Sequence, residues 1–244
     1  HGGQSIPAFD YYMAPGVLMT FKKQFKQRVY DYIEVQGLLS DVDMPALLNH
    51  INDVDSITLD ITPLQEIAPQ AADAIAMAYD KALRVTDRIT YQSMEAFIHN
   101  LNTMHSRAGA EVPFSSINFG TDTSPEGRMV IENYLDALNA GLGQNETPIF
   151  PISVFKLKRG VNFNLEDPNY DLFKLAMQVS AKRLFPNFSF LDSSFNLPFY
   201  KEDNFETEAT YMGCRTRVMS DIFEPGEETV TGRGNISFTS VNLV

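Results

Sequence analysis

Between residues 112 and 191 the apolar pattern of this chain switches repeatedly, and that alternation limits its possible folds more than any other feature. Residues 112–119 read as a strand, Ser124-Pro125 as an N-cap with proline at the first helical position, and 125–142 as a helix closed by Gly143. A second strand follows at 149–157, and a helix at 168–184 places Leu172, Leu175, Ala176, Val179 and Leu184 on one side. A third strand lies at 188–191. Strand, helix, strand, helix, strand is the pattern of a parallel sheet with crossover helices, an α/β fold.

The preceding residues read as helical. Residues 17–36, entered after Pro15-Gly16, carry Leu18, Phe21, Phe25, Val29, Tyr32 and Ile33 at three- and four-residue steps, a single apolar stripe. Lys22, Lys23, Lys26 and Arg28 lie between them. They suit either a solvated face or a phosphate-facing surface at a subunit contact. Residues 39–62 are acidic and loop-rich, with Ser40 and Asp41 as turn or cap residues. Alanine-rich helix runs from about Pro69 to Ser106, expected as two helices. The chain thus divides into a helical part, 1–108, and an α/β part, 109–244, in which 192–234 is irregular and a last strand starts near Asn235.

Composition narrows the function. Eighteen Phe and ten Tyr in 244 residues supply a dense core. A formal charge of −12 argues against a nucleic-acid surface, which is usually basic, but leaves room for a nucleotide in a local pocket of donors. No run approaches the roughly 18 apolar residues of a membrane helix. A single cysteine forms no internal disulfide framework, so a reducing, cytosolic setting is expected. His1, His50, His99 and His105 show no metal-binding spacing, and no metal site is predicted.

That cysteine stands in Tyr211-Met212-Gly213-Cys214-Arg215-Thr216-Arg217. Unpaired, it is either a small buried hydrophobe or a one-electron or nucleophilic centre. Met212 fills a gap or assists the sulfur. Arg215 and Arg217 either bind phosphate or anchor the loop. Ser115, Ser116 and Asn118 fall where a strand would end, the side on which α/β enzymes place their sites. Thr121, Thr123 and Ser124 approach a helix N-terminus, where Ser124 is either a phosphate ligand or an ordinary cap.

Four segments together carry a resemblance. They are His1-Gly2-Gly3-Gln4-Ser5, the run from Ser106 to Asn118, Met212-Gly213-Cys214-Arg215, and the run from Arg233 to Leu243 that contains Asn235. In this order, and spanning the chain, they resemble the anaerobic (class III) ribonucleoside-triphosphate reductases. The resemblance implies part of a ten-stranded α/β barrel of the glycyl-radical type, preceded by a helical dimerisation and effector layer, with Cys214 on a finger loop at about 192–234. It implies a thiyl radical on Cys214 that takes the 3′ hydrogen of a ribonucleoside triphosphate, with Asn235 facing the ribose and Met212 beside the sulfur. Ser115, Ser116 and Asn118 become candidate substrate ligands. Lys22, Lys23, Lys26 and Arg28 become candidate ligands for deoxynucleotide or ATP effectors at a homodimer contact.

The family also uses a glycyl radical made by an S-adenosylmethionine-dependent iron–sulfur activase, a structural zinc, and formate or a thiol as reductant. One cysteine does not make a four-thiolate zinc site, and no Arg-Val-x-Gly-Tyr-like loop is visible. The chain therefore reads as an internal part of a longer enzyme. A non-catalytic effector-binding module and another glycyl-radical enzyme are the alternatives.

Overall fold

The computed structural model describes residues 4–105, 112–213, 216–219, 224, 226 and 229–232. A short strand β1 (Gln4–Ile6) leads into helix α1 (Phe9–Val35), followed by α2 (Met44–Asn52), α3 (Thr62–Ile67) and α4 (Ala72–Thr103). Then come β2 (Ser115–Phe119), α5 (Pro125–Ala140), β3 (Ile152–Leu157), α6 (Tyr170–Arg183) and β4 (Asn187–Phe190). Strands β1 to β4 form one parallel sheet in sequence order, with Ser5 opposite Ser116, Asn118 opposite Val154, and Lys156 opposite Ser189. A separate antiparallel hairpin, β5 (Thr210–Met212) and β6 (Thr216–Val218), completes the described elements.

The helices follow from their buried stripes. On α1, Phe21, Phe25, Val29 and Ile33 repeat every four residues and are fully buried. On α4 the facing stripe starts with Ala74, Ile75, Ala78 and Ala82. Those small side chains let the two axes approach, and Tyr79 packs edge-on against Phe21 and Phe25 at 5.9 and 5.8 Å. A second aromatic group, Phe119 with Tyr134 at 5.1 Å and Phe155 at 5.5 Å, joins the sheet to α5. The hydrophobic core is continuous from α1 through the sheet to α6.

Three helical boundaries differ from the sequence pattern. Helix α1 begins at Phe9, with Pro15 inside it. A proline there forfeits one helical bond, at a cost of about 3 kcal/mol. Burial of Phe9, which stacks on Phe97 at 5.3 Å, and of Asp10 holds the first turns in place regardless. Residues 72–103 form one helix, because no Gly or Pro interrupts them. Within the acidic stretch read as loop-rich, helix α2 forms; Ser40 and Asp41 lie in the turn before it, as expected, and Asp43 is its cap. Its carboxylate accepts from the Ala46 N–H at 3.1 Å, and Leu47 and Ile51 bury the helix it starts.

The α/β pattern itself agrees. Ser124 caps α5 by accepting from the Gly127 N–H at 3.0 Å, with Pro125 in the first turn. The sequence pattern missed β1, and the expected last strand near Asn235 lies outside the described residues.

Candidate active site

Strand alternation gives the sheet two unlike faces. Ile117, Phe119, Phe155 and Leu157 point into the core beneath the helices. By register, Ser5, Ser116, Asn118, Lys156 and Ser189 share the other face. An apolar sheet would leave nothing there to hold polar backbone. This face carries most of the sheet's polar side chains beside Ile152 and Val154, and the segment ending in β5 lies on it.

The hairpin is fastened at several points. Asn118 Nδ2 donates to the Tyr211 carbonyl at 2.8 Å, and the Tyr211 N–H donates back to Asn118 Oδ1 at 2.9 Å. Ser5 Oγ donates to the same carbonyl at 3.1 Å. The Gly213 N–H donates to Ser116 Oγ at 3.1 Å. Gly213 has φ +61°, and a Cβ there would stand 3.2 Å from the Phe114 ring, so both conformation and space favour glycine. Met212 pairs with Thr216 across the hairpin and is half-buried. In sequence Cys214 falls between these paired residues. Cys214, Arg215 and Asn235 lie outside the described residues.

An ionic cluster sits at the foot of β5. Lys156 and Glu208, whose side chains are 1% and 2% exposed, pair at 3.1 Å. Thr121 Oγ1 donates to the same Glu208 oxygen at 2.7 Å, and Lys158 Nζ stands 3.9 Å from the other. Lys158 also donates to the Tyr200 hydroxyl and lies over that ring. Nearby, Asp10 Oδ2 accepts from the N–H groups of Gly120, Thr121 and Asp122 at 2.8, 3.1 and 3.1 Å. Complete burial raises the Asp10 pKa from 3.8 to about 6, although the Lys156 charge and the Asp122 and Gly120 N–H groups pull it down. Burial also raises Asp122.

The sequence-predicted residues separate into groups. Ser116 and Asn118 come together with Met212 at the hairpin. Ser115, buried on the opposite face, has an Oγ without a hydrogen-bond partner. The candidate phosphate cradle after β2 is taken by the chain's own Asp10 carboxylate, and Ser124 serves as the helix cap. Arg217 donates to Asn196 Oδ1 at 3.2 Å and lies over the Phe195 ring, which anchors β6 to the preceding segment.

Lys22, Lys23 and Lys26 border an open recess of about 600 Å³ with Met19, Gln27, Tyr30 and Leu48. Lys22 donates to the Asn52 carbonyl and Lys26 to its side-chain oxygen, both at 2.7 Å. Arg28 pairs with Asp31 at 3.0 Å.

The sequence does not single out Asp10 or Glu208. Lys156 leaves a trace, as one cation in the otherwise largely apolar run Ile152–Leu157, which demands a buried anion. Among the described residues, no group of three or more His, Cys, Asp or Glu side chains is arranged to hold a metal ion. No helix among them is long and apolar enough to cross a membrane.

The sequence as a whole matches a known family. The family model for anaerobic ribonucleoside-triphosphate reductase matches residues 1–244. The chain is 33% identical to the anaerobic ribonucleoside-triphosphate reductase of Haemophilus influenzae over 172 residues, 68% of this chain and 22% of that protein. It is 34% identical to the enzyme of the same name from Escherichia coli over 154 residues, 63% of this chain and 20% of that protein. The matched region is thus about a fifth of the length of these relatives. With the family match running from the first residue to the last, the chain belongs to the anaerobic ribonucleoside-triphosphate reductase family.

Proposed function

We propose that this chain is the part of an anaerobic ribonucleoside-triphosphate reductase that carries the radical cysteine, and that Cys214 performs the hydrogen abstraction. The observation that carries the reading is the β5–β6 hairpin. Its backbone is bonded to Ser5, Ser116 and Asn118, and it brackets the one thiol of the chain.

A thiyl on Cys214 takes hydrogen from C3′ of the ribose. One S–H bond forms as one C–H bond of similar strength breaks, so the step is close to balanced and reversible. The C2′–O bond then breaks with the hydroxyl leaving as water and a C2′–H bond forms in its place, a net change of two electrons and two protons supplied by oxidation of formate to carbon dioxide or of two thiols to a disulfide. Return of hydrogen from the thiol to C3′ regenerates the thiyl. Asn235 is assigned to the ribose, where a carboxamide both donates and accepts. Met212, at the end of β5, is assigned to the neighbourhood of the sulfur. The sheet and the segment 192–213 would form one side of a dry cavity, which a reactive radical requires.

In the longer enzyme the sheet would be part of a ten-stranded barrel, with the hairpin at the tip of its finger loop. A glycyl radical installed by an S-adenosylmethionine-dependent activase would generate the thiyl. The zinc site would draw on cysteines other than Cys214. Helix α1 would contribute to a homodimer contact, with Lys22, Lys23, Lys26 and Arg28 offered to the triphosphate of an ATP or deoxynucleotide effector.

The reaction assignment is tested with ribonucleoside triphosphate bearing deuterium at C3′, turned over by the activated full-length protein. Deoxynucleotide formation with a primary isotope effect is expected when abstraction limits the rate in single-turnover experiments. Ribonucleotide left unchanged by activated protein would overturn the assignment.

A further inference from the structure

Asn118 has no exposed surface, and its carboxamide is bonded twice to one residue: Nδ2 to the Tyr211 carbonyl and Oδ1 to the Tyr211 N–H. This is the exchange that two residues make across an antiparallel ladder, performed here by a side chain on a backbone 93 positions away. Ser5 and Ser116 add single bonds to Tyr211 and Gly213, on either side of Met212.

We infer that Asn118 is a positioning residue for the radical cysteine rather than a nucleotide ligand: it fixes the Cys214 hairpin through Tyr211, with Ser116 and Ser5 as secondary anchors. The inference rests on the reading of Cys214 given above. A carboxamide offers two donors and one acceptor oxygen. One donor and the oxygen are already engaged with Tyr211, and burial leaves no face for a substrate. Tyr211 is three residues before the thiol, so a small tilt of its peptide is carried to the sulfur. Hydrogen transfer tolerates little misplacement, and an error of about 1 Å costs on the order of 100-fold in rate.

The test uses the full-length protein with Asn118→Ala and Asn118→Asp, hydrogen exchange at the Tyr211 amide, and single-substrate kinetics. In Asn118→Ala, Tyr211 exchange should accelerate on the order of tenfold, the value of one lost hydrogen bond. Exchange at Phe155 in β3 should stay as it is. The kcat should fall on the order of 100-fold with KM for the nucleotide within about twofold.

Asn118→Asp supplies a signature that general loosening lacks. A protonated carboxyl can both donate to the Tyr211 carbonyl and accept from its N–H, whereas a carboxylate sets oxygen against oxygen. The Tyr211 protection factor, taken relative to wild type, should therefore rise as pH falls through the carboxyl's titration. This arm stands even if the alanine variant fails to fold.

Unchanged Tyr211 exchange in Asn118→Ala, a pH-independent protection ratio in Asn118→Asp, or a raised KM with unchanged kcat would each overturn the inference. A wild-type protein that reduces no nucleotide would instead defeat the functional reading, while the exchange measurements still decide whether Asn118 holds the hairpin.

Discussion

Removing Lys156 should unfold this chain more readily than any apolar truncation of similar size at the sheet. Its ammonium stands 3.1 Å from Glu208, and both side chains are almost wholly buried. At an effective dielectric of about 20, that separation corresponds to an attraction of about 5 kcal/mol, set against the desolvation of both ions. Lys156→Met keeps the stem length and leaves the Glu208 carboxyl buried without its nearest cation. The remaining partners are the Thr121 hydroxyl at 2.7 Å and Lys158 at 3.9 Å, the latter on a side chain 21% exposed. Breaking a buried pair at one end costs about 3–5 kcal/mol, and the partial replacement by Lys158 puts this case near 3.

The double variant Lys156→Met/Glu208→Gln removes both charges and keeps an amide oxygen for Thr121. It should cost about 1 kcal/mol, well below the sum of the single changes. Urea unfolding followed by far-UV circular dichroism measures the double variant and the two single variants, Lys156→Met and Glu208→Gln, since the chain has no tryptophan to report fluorescence. A Lys156→Met cost under about 1 kcal/mol, or additive single and double effects, would refute the claim that this pair is a coupled buried unit.

Asp10 gives a pH dependence of opposite sense to the usual paired carboxylate. Its pKa is raised from 3.8 to about 6, chiefly by burial. The stability it contributes is thus fully present below about pH 4 and lost as pH rises through 6, a change of about 3 kcal/mol. Asp10→Asn should remove that slope, and identical pH dependence of the urea midpoints in the two proteins would contradict it. At the α1 recess, reversing Lys23 and Lys26 to Glu in the full-length enzyme should weaken deoxynucleotide effector binding tenfold or more. Charge-assisted bonds to phosphate are worth about 1.5–3 kcal/mol each. Unchanged effector affinity by equilibrium dialysis would remove α1 from the effector site.

What the sequence made legible was whatever local periodicity records. The Ser124-Pro125 cap, the β2–α5–β3–α6–β4 order and the apolar stripe of α1 each depend on neighbours within a few positions. Strand β1 escaped notice because three residues carry no period, and its place is fixed only by pairing with Ser115, Ser116 and Ile117. Pro15 read as a boundary because its local penalty is visible, whereas the burial of Phe9 and Asp10 that outweighs it is tertiary.

The site divides in the same way. Met212-Gly213-Cys214 is found in the string itself. The clamp on it is not, because Asn118, Ser116 and Ser5 reach Tyr211 and Gly213 across 93 to 206 positions. The hydrogen bonds that Asn118 and Ser116 make to this backbone are visible only once the hairpin is placed beside the strand.

The central claim is that Cys214 carries the radical to the ribose, and the serine variant tests it most directly. Serine is nearly isosteric with cysteine, so Cys214→Ser should disturb packing little. Its O–H bond is much stronger than S–H, and the hydroxyl neither relays the radical nor abstracts the 3′ hydrogen at a useful rate. In the full-length enzyme treated with its activase, electron paramagnetic resonance should record an undiminished glycyl radical in Cys214→Ser, while a parallel assay finds no deoxynucleotide. Deoxynucleotide formation by the serine variant at the wild-type rate would contradict the assignment.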